Sequence, residues 1–240
     1  MLATETKNLT KKFKEKTAVD EMELKINEGE LFALLGTNGA GKTTTIKMLS
    51  TLILPTSGEI KINGLDIIKD RQKIKEILNV SPQETAIAPN LSVKENLEFM
   101  AGVYQIPNQK EKIDELVKLF KLEEVLKQKA KTLSGGWQRK VSIAISLINN
   151  PKILFLDEPT LGLDVIARKE LWKIIGDLKG KITIILTTHY MEEAESLSDR
   201  IGIMANGKLI TVGTAEELIQ KSGAKNFEDA FVKIATGGEL

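Results

Sequence analysis

Residues 31–45, LFALLGTNGAGKTTT, join an apolar run to a glycine-rich turn and then to a threonine-rich segment. The run LFALLG is typical of a strand that is buried on both faces of a parallel sheet. Gly36, Gly41, Lys42 and Thr43 match the pattern G-x-x-x-x-G-K-[ST]. A glycine-rich turn that binds nothing is the alternative, but the position between a strand and a helix favours a phosphate-binding loop. In such a loop Lys42 reaches the phosphates and the Thr43 hydroxyl ligates Mg²⁺.

The composition narrows the class of protein. The chain has 240 residues, enough for one sizeable domain with a hydrophobic core. Its 34 Lys and Arg residues nearly balance its 33 Asp and Glu residues, which leaves a net charge of +1 and argues against nucleic acid as a partner. The sequence contains no cysteine, which suits a reducing cytoplasm. No stretch reaches the roughly 20 apolar residues of a membrane-spanning helix, so we expect a soluble chain.

Other segments read as strands that alternate with helices, which favours a parallel sheet. An Asn-Gly pair marks a hairpin turn in GEIKINGLDI and again in DRIGIMANGKLITVG. The predicted strands and hairpins are 21–26, 31–36, 58–67, 152–159, 181–189 and 199–213.

Helical patterns occupy the middle and the end of the chain. The segment KTTTIKMLSTLI reads as a helix after the glycine loop, and WQRKVSIAISLI reads as another. Ser92 with Glu95, and Thr214 with Glu217, have the spacing of a capping box at a helix start. We predict a helical segment between the two parts of the sheet and a helical tail at the end.

Acidic side chains and the one histidine follow apolar strands. Asp157 and Glu158 end ILFLDEP, and His189 ends TIILTTH. Because ligands of open α/β sheets collect at the carboxyl ends of strands, we expect these side chains beside the phosphate loop. Asp157 would hold Mg²⁺ through water, Glu158 would polarise an attacking water, and His189 would contact the γ-phosphate or that water. The alternatives are a solvated acidic pair and a structural histidine.

Three further features are ambiguous from the residues alone. Gln83 follows Ser81-Pro82, where the residues alone favour a plain loop residue. Phe13 could stack on an adenine or belong to the core. The stretch LSGGWQRK (133–140) places a serine and two glycines at a helix start, where backbone amides can bind an anion. An ordinary loop before a helix is the other reading.

Together, GTNGAGKTT, Gln83, LSGGWQR, ILFLDEP, the Gly162-Leu163-Asp164 stretch and His189 resemble the ATP-binding subunit of ABC transporters over nearly the whole chain. They stand in that family's order of Walker A, Q-loop, signature, Walker B, D-loop and switch histidine. LTTHYMEEAESLSDRI and NFEDAFVKIATG resemble the ABC-2 type exporter branch.

The resemblance implies an α/β fold, with a P-loop NTPase (RecA-like) core, an N-terminal antiparallel β subdomain and an inserted helical subdomain. Within a single ABC ATPase domain of residues 1–240 we expect four parts. These are the β subdomain with the first core segment, the helical subdomain, the second core segment and a helical tail, at 1–83, 84–135, 136–213 and 214–240.

The resemblance also implies the ligands and their residues. The expected cofactors are ATP and Mg²⁺, the expected catalytic residues are Glu158, His189 and Gln83, and the expected metal site is Thr43, Gln83 and Asp157. The nucleotide would contact Phe13, Gly36, Thr37, Asn38, Gly39, Ala40, Gly41, Lys42, Thr43 and Thr44, and in addition Ser134, Gly135 and Gly136 of a second subunit.

In this family two subunits pair head to tail, and each ATP lies between the Walker A of one and the signature of the other. We therefore expect a homodimer or a related heterodimer, polytopic membrane permease subunits as partners, and a peripheral location on the inner face of the cell membrane. The implied function is ATP hydrolysis that powers transport, more specifically export. A soluble ABC ATPase with a scaffold or assembly role is the alternative.

The sequence departs from the common family pattern at several positions. Thr37 replaces a proline, and Phe13 replaces a frequent tyrosine but keeps a face for stacking. Leu161 lacks the serine hydroxyl that often begins the D-loop. Trp137 follows the signature glycines, where it would cover the partner's ribose or pack against its own helix.

Overall fold

Two β-sheets and nine α-helices make up residues 1–237, the part of the chain that the computed structural model describes. The strands are Leu2–Phe13 (β1), Lys16–Asn27 (β2), Leu31–Gly36 (β3), Ser57–Ile62 (β4), Leu65–Asp66 (β5), Leu78–Ser81 (β6), Ile153–Asp157 (β7), Thr183–Thr188 (β8), Arg200–Ala205 (β9) and Lys208–Gly213 (β10). The α-helices are Lys42–Leu49 (α1), Arg71–Ile77 (α2), Val93–Val103 (α3), Gln109–Phe120 (α4), Gly135–Ser146 (α5), Val165–Leu178 (α6), Met191–Leu197 (α7), Ala215–Ser222 (α8) and Phe227–Thr236 (α9).

The larger sheet has the strand order β10-β9-β3-β8-β7-β6. All of its strand pairs are parallel except β9 with β10, so the predicted parallel sheet is confirmed. This order brings the carboxyl ends of β3, β8, β7 and β6 to one edge, where ligands of open α/β sheets bind. The chain segments that follow these four strands therefore lie side by side.

The alternating side chains of β3 divide the core into two layers. Leu31, Ala33 and Leu35 pack on one side with α3 to α7, and Phe32 and Leu34 pack on the other with α1 and the smaller sheet. Both layers are buried, which explains why this strand is apolar along its whole length.

The smaller sheet is antiparallel, with the order β2-β1-β4-β5. Its β1 and β2 have 12 residues each. The sequence predicted only residues 21–26 of β2 as a strand and did not predict the bounds of β1. The hairpin at Asn63-Gly64 joins β4 to β5, and the one at Asn206-Gly207 joins β9 to β10, so both predicted hairpins are confirmed.

Both capping boxes are present. The Ser92 hydroxyl accepts from the Glu95 amide at the start of α3, and Thr214 does the same for Glu217 at α8. The helix predicted over residues 42–53 ends at Leu49 instead, because Thr51 adopts a left-handed backbone with φ 64°. Residues 238–240 of the predicted tail lie outside the described residues.

Between β6 and α5 the chain forms α3, α4 and the 3₁₀ turns Glu123–Val125 and Ala130–Thr132. Across residues 1–237 we find no helix with both the length and the apolar character to cross a membrane.

Candidate functional site

The glycine loop lies between β3 and α1. A Cβ on Gly41 would lie 2.4 Å from the carbonyl oxygen of Ala18, and its φ of 107° is one that only glycine adopts readily. A Cβ on Gly36 would lie 2.5 Å from the Met204 carbonyl oxygen. Glycine is therefore required at both positions, which are the two fixed glycines of the phosphate-loop pattern.

Lys42 is buried at the start of α1. Its Nζ donates to the carbonyl oxygens of Gly36 at 2.8 Å and Thr37 at 3.2 Å, and it lies 3.3 Å from Oε1 of Glu158. An ammonium group this deeply buried requires such partners, because burying an unpaired charge is costly. The chain thus fixes one positive charge between the loop and the end of β7.

Thr43 and Asp157 meet at the same edge. The Thr43 hydroxyl donates to Oδ1 of Asp157 at 3.1 Å, and the Thr187 hydroxyl donates to the same oxygen at 2.5 Å. Gln83, which follows β6, lines the adjoining cavity. Hydroxyl, carboxylate and amide oxygens are the ligands that Mg²⁺ prefers, so these residues fit that ion. Within residues 1–237 we find no cluster of three or more His, Cys, Asp or Glu side chains that could hold a metal.

Glu158 occupies a strained backbone position directly after β7. Its φ is 49°, in the left-handed region that few residues other than glycine adopt. Its amide donates to both oxygens of Thr187, and its Oε2 lies 2.7 Å from Nδ1 of His189. Strain of this kind is common at functional sites, where surrounding contacts maintain it. Here those contacts turn the carboxylate towards Lys42 and His189.

One open cavity of about 600 Å³ gathers most of the residues predicted from the sequence. Phe13, which is 48% exposed, forms part of its wall and is therefore a surface residue rather than a core residue. The predicted residues that line the cavity are Phe13, Asn38, Gly39, Ala40, Gly41, Lys42, Thr43, Thr44, Gln83, Glu158 and His189. Lys16, Ala18 and Leu161 also line it and were not predicted. Gly36, Thr37 and Asp157 do not line the cavity, but they contact its wall through Lys42 and Thr43.

The Ser134-Gly135-Gly136 segment does not line this cavity. It begins α5, with Ser134 in the N-cap position, yet the Ser134 side chain makes no capping hydrogen bond. Ser134 and Gly135 are both exposed. The second glycine segment of the sequence therefore lies outside the cavity that contains the first.

The family model described as ABC transporter matches residues 19–161. This match covers more than half of the chain and includes the glycine loop, the start of α5 and the acidic end of β7. The chain belongs to the ABC transporter family.

Named relatives of this ABC transporter chain come from bacteria and animals. It is 37% identical to the linearmycin resistance ATP-binding protein LnrL of Bacillus subtilis over 237 residues, covering 98% of this chain and 75% of that protein. It is 43% identical to the phospholipid-transporting ATPase ABCA3 of Homo sapiens over 224 residues, covering 91% of this chain but 13% of that protein. For the probable multidrug ABC transporter ATP-binding protein YbhF of Escherichia coli, the identity is 39% over 238 residues, and the coverage is 96% of this chain but 41% of that protein.

Solved structures of ABC ATPases share the fold. An ATP-binding subunit of an ABC transporter superposes with a TM-score of 0.86 at 28% identity, covering 97% of this chain and 99% of that chain. The dimeric cassette MJ0796, in a post-hydrolysis state bound to ADP and Pi, superposes with a TM-score of 0.78 at 28% identity, covering 88% of this chain and 98% of that chain. The P-loop NTPase fold expected from the sequence is confirmed.

Trp137 of this ABC cassette packs against the helical side of the core. The Lys140 ammonium lies 4.4 Å from the centre of its ring, and that same ammonium donates to Oε2 of Glu170 at 2.7 Å. Of the two readings left open by the sequence, these contacts favour packing against its own helix.

Arg139 is a residue of the site that the sequence did not reveal. It is 4% exposed. Its guanidinium donates to the backbone carbonyls of Pro82, Asp157 and Pro159 in this ABC cassette. Its position on the apolar face of WQRKVSIAISLI, four residues before Ile143, was a signal that it is buried, although not of its partners.

Glu193 of α7 is a second residue that was missed. It is fully buried, and its Oε1 accepts hydrogen bonds from the Thr160 hydroxyl at 2.8 Å and from Nε1 of Trp172 at 2.9 Å. Burial raises the pKa of its carboxyl above the usual range. Glu193 thereby ties the segment after Glu158 to α6 and α7 of the ABC fold.

Proposed function

We propose that this chain is the ATP-hydrolysing subunit that powers transport in the export direction, through an ATP-dependent dimer. The observation that carries the proposal is the division of the site. The Walker A, Walker B and switch-histidine residues share one cavity, whereas the exposed signature segment at Ser134 does not reach it. A second subunit would supply the missing half.

The loop and its lysine would hold the nucleotide phosphates. Lys42 already lies between the loop carbonyls and Glu158, where it would offset the charge of the β- and γ-phosphates. Thr43, Asp157 and Gln83 would hold Mg²⁺, which when bound neutralises charge that develops on the phosphate oxygens. Phe13, at the mouth of the cavity, would stack on the adenine.

Glu158 would act as the general base or water-positioning group. Its side chain points at the cavity wall shared with Lys42 and His189. Nδ1 of His189 lies 2.7 Å from Oε2 of Glu158, and because an ionised carboxylate can only accept, the imidazole would be the donor in this contact. His189 would thus hold the carboxylate in place and supply a group next to the attacking water or the γ-phosphate.

The signature segment would complete the site of the partner subunit. Ser134, Gly135 and Gly136 stand at the N-terminus of α5, a helix of 12 residues whose first amide groups are free to bind an anion. Head-to-tail pairing of two copies, or of this chain with a related one, would then build two composite ATP sites.

Coupling to membrane subunits would use the helical subdomain that we place at residues 84–135. Phe99 and Val103 of α3 and the adjacent Tyr104 are exposed, which suits contact with a polytopic permease. The chain would lie at the inner face of the cell membrane through these partners. Copurification of a polytopic membrane protein with the tagged chain tests this part, whereas soluble partners alone would favour a scaffold role.

Mixed subunits test the shared site. Lys42→Ala damages the Walker A half and Ser134→Arg damages the signature half, so each pure variant should lose hydrolysis. A mixture in equal parts should recover about a quarter of the wild-type sites, because half of the dimers pair one intact half with the other. Ser134→Arg alone should still bind ATP.

The matched control mixes Lys42→Ala with Glu158→Gln, whose lesions lie in the same half. That mixture should stay inactive. Hydrolysis by the wild type combined with no recovery in the first mixture would contradict the composite site, and loss of ATP binding in Ser134→Arg would place the signature on its own nucleotide.

A further inference from the structure

Arg139 lies on the second turn of α5, the helix that begins with the exposed signature segment. We propose that Arg139 is a positioning residue whose guanidinium holds the backbone of the Q-loop and of the Walker B strand end, and thereby places Gln83 and Glu158 for hydrolysis. This inference rests on the proposed ATPase function, because it assigns a role within that site.

The guanidinium makes hydrogen bonds to two chain segments at once. On one side, Nη1 donates to the carbonyl oxygens of Pro82 at 2.5 Å and Gln83 at 3.2 Å. On the other, Nη2 donates to those of Asp157 at 2.8 Å and Glu158 at 3.1 Å. The two terminal nitrogens thus bind the backbone of Gln83, Asp157 and Glu158. The proposed function places these residues at the metal or at the attacking water.

A third nitrogen of the guanidinium makes a hydrogen bond to the residue after Glu158. Nε of Arg139 donates to the Pro159 carbonyl at 2.8 Å. The backbone of Glu158 is therefore restrained on its own carbonyl and on the next one, while its amide is held by Thr187. These bonds help to maintain the left-handed φ of 49° at Glu158, which would otherwise relax.

The charge of Arg139 strengthens each of these bonds. Burial lowers the pKa of its guanidinium to about 10, while Asp157, Glu193 and Glu158 act in the opposite direction, so it stays charged at neutral pH. Hydrogen bonds from a charged donor are stronger than neutral ones, and in a buried setting they are less screened. A buried cation with backbone carbonyl acceptors makes a stiff connection between the segments that provide them.

Lysine would not replace this geometry. A guanidinium has five donors in a planar fork, whereas an ammonium has three donors around one point. Lysine at position 139 would keep the charge but could not serve the Pro82 and Gln83 carbonyls together with those of Asp157, Glu158 and Pro159. The Arg139→Lys substitution therefore removes the planar set of donors while it keeps the positive charge.

The experiment compares Arg139→Lys and Arg139→Met with the matched control Lys140→Met. Lys140 is the next residue of α5, is also buried, and pairs with exposed Glu170 rather than with the catalytic edge. For each protein we would measure kcat and KM for ATP hydrolysis, the Kd for MgATP in a non-hydrolysing Glu158→Gln background, and Tm.

For Arg139→Lys we expect kcat to fall about 10- to 100-fold, since small displacements of catalytic groups have effects of this size. Its Kd for MgATP should change less than about threefold, because Lys42 and the loop are untouched. Lys140→Met should lower Tm to a similar extent but keep kcat within about twofold of wild type. Equal losses of kcat in the two positions, or normal kcat in Arg139→Lys, would overturn the proposal.

A double-mutant cycle with Gln83→Ala adds a readout that a merely structural residue would not move. If Arg139 acts partly by placing Gln83, the loss from Arg139→Lys should be smaller when Gln83 is already truncated. If the losses of kcat from the two substitutions are fully additive, Arg139 does not act through Gln83. Because wild-type hydrolysis is measured in the same series, an inactive wild type would contradict the proposed function, whereas an active wild type with active Arg139→Lys would contradict this inference alone.

Discussion

Nδ1 of His189 lies 2.7 Å from Oε2 of Glu158, while Nζ of Lys42 lies 3.3 Å from Oε1 of the same carboxylate. Glu158 is thus held at both oxygens by groups that follow different strands of the core sheet. The pairing fixes the direction of a side chain whose backbone is already in an unusual conformation. Changes at Glu158 or His189 should therefore alter the chemical step more than nucleotide binding.

Replacing Glu158 by glutamine should leave MgATP binding intact and reduce turnover about 10²- to 10⁴-fold, the contribution expected of a general base. The amide keeps the size of the carboxylate but cannot take a proton. Dimer should accumulate with MgATP, which size-exclusion chromatography with and without nucleotide would detect. Near-normal turnover in this variant would show that Glu158 is not the general base.

His189→Ala should lower kcat about 10- to 100-fold while the Kd for MgATP stays close to wild type, because the histidine contacts Glu158 rather than the phosphate loop. In a Glu158→Gln background the same substitution should have much less effect, since it acts through that carboxylate. Single-turnover hydrolysis of the single and double variants measures both. An effect of full size in the double variant would show that His189 acts separately.

Phe13→Ala should weaken ATP binding about 5- to 50-fold, the loss expected when a stacking aromatic is removed from a base. Because Phe13 is 48% exposed, the substitution should leave Tm nearly unchanged. Phe13→Tyr, which keeps the stacking face, is the matched control. Equal ATP affinity in all three proteins, measured with a fluorescent nucleotide, would argue that Phe13 does not touch the adenine.

Glu193→Gln should make the protein more stable than wild type at neutral and alkaline pH. Burial raises the pKa of Glu193 above its ordinary 4.5, so the folded state holds this proton more tightly than the unfolded state does. Wild type therefore loses stability as pH rises from about 4.5 through the folded pKa, by up to about 1.4 kcal/mol per pH unit in that window. Glutamine has no proton to lose and can still accept from Thr160 and Trp172.

Thermal melts of wild type and Glu193→Gln from about pH 5 to pH 8 test whether the variant becomes the more stable protein as pH rises. Each kcal/mol of added stability should raise Tm by about 2–4 °C in a domain of this size. Glu192→Gln, an exposed neighbour on the same helix, should show no such trend. A difference in Tm that shrinks with rising pH would contradict the prediction.

Local patterns were enough to predict much of the fold. The strand at residues 31–36, both Asn-Gly hairpins and both capping boxes depend on residues that are close in sequence, and the structure contains each of them. Leu78–Ser81 was not predicted as a strand, because its four residues have no clear pattern of their own. It becomes a strand by pairing with Ile153–Asp157, which is a tertiary contact.

By itself the sequence determined that this chain has a loop of the phosphate-binding pattern, a parallel core sheet and a second glycine segment at a helix start, because each depends on residue types at short, fixed spacing. Only the tertiary structure decided which side chains meet. Thr43 and Asp157 are 114 positions apart, and Arg139 reaches back 57 positions to Pro82. Contacts of this kind follow from strand order and helix packing, so no local pattern could reveal that Arg139 joins the Q-loop to the Walker B strand or that Glu193 is buried.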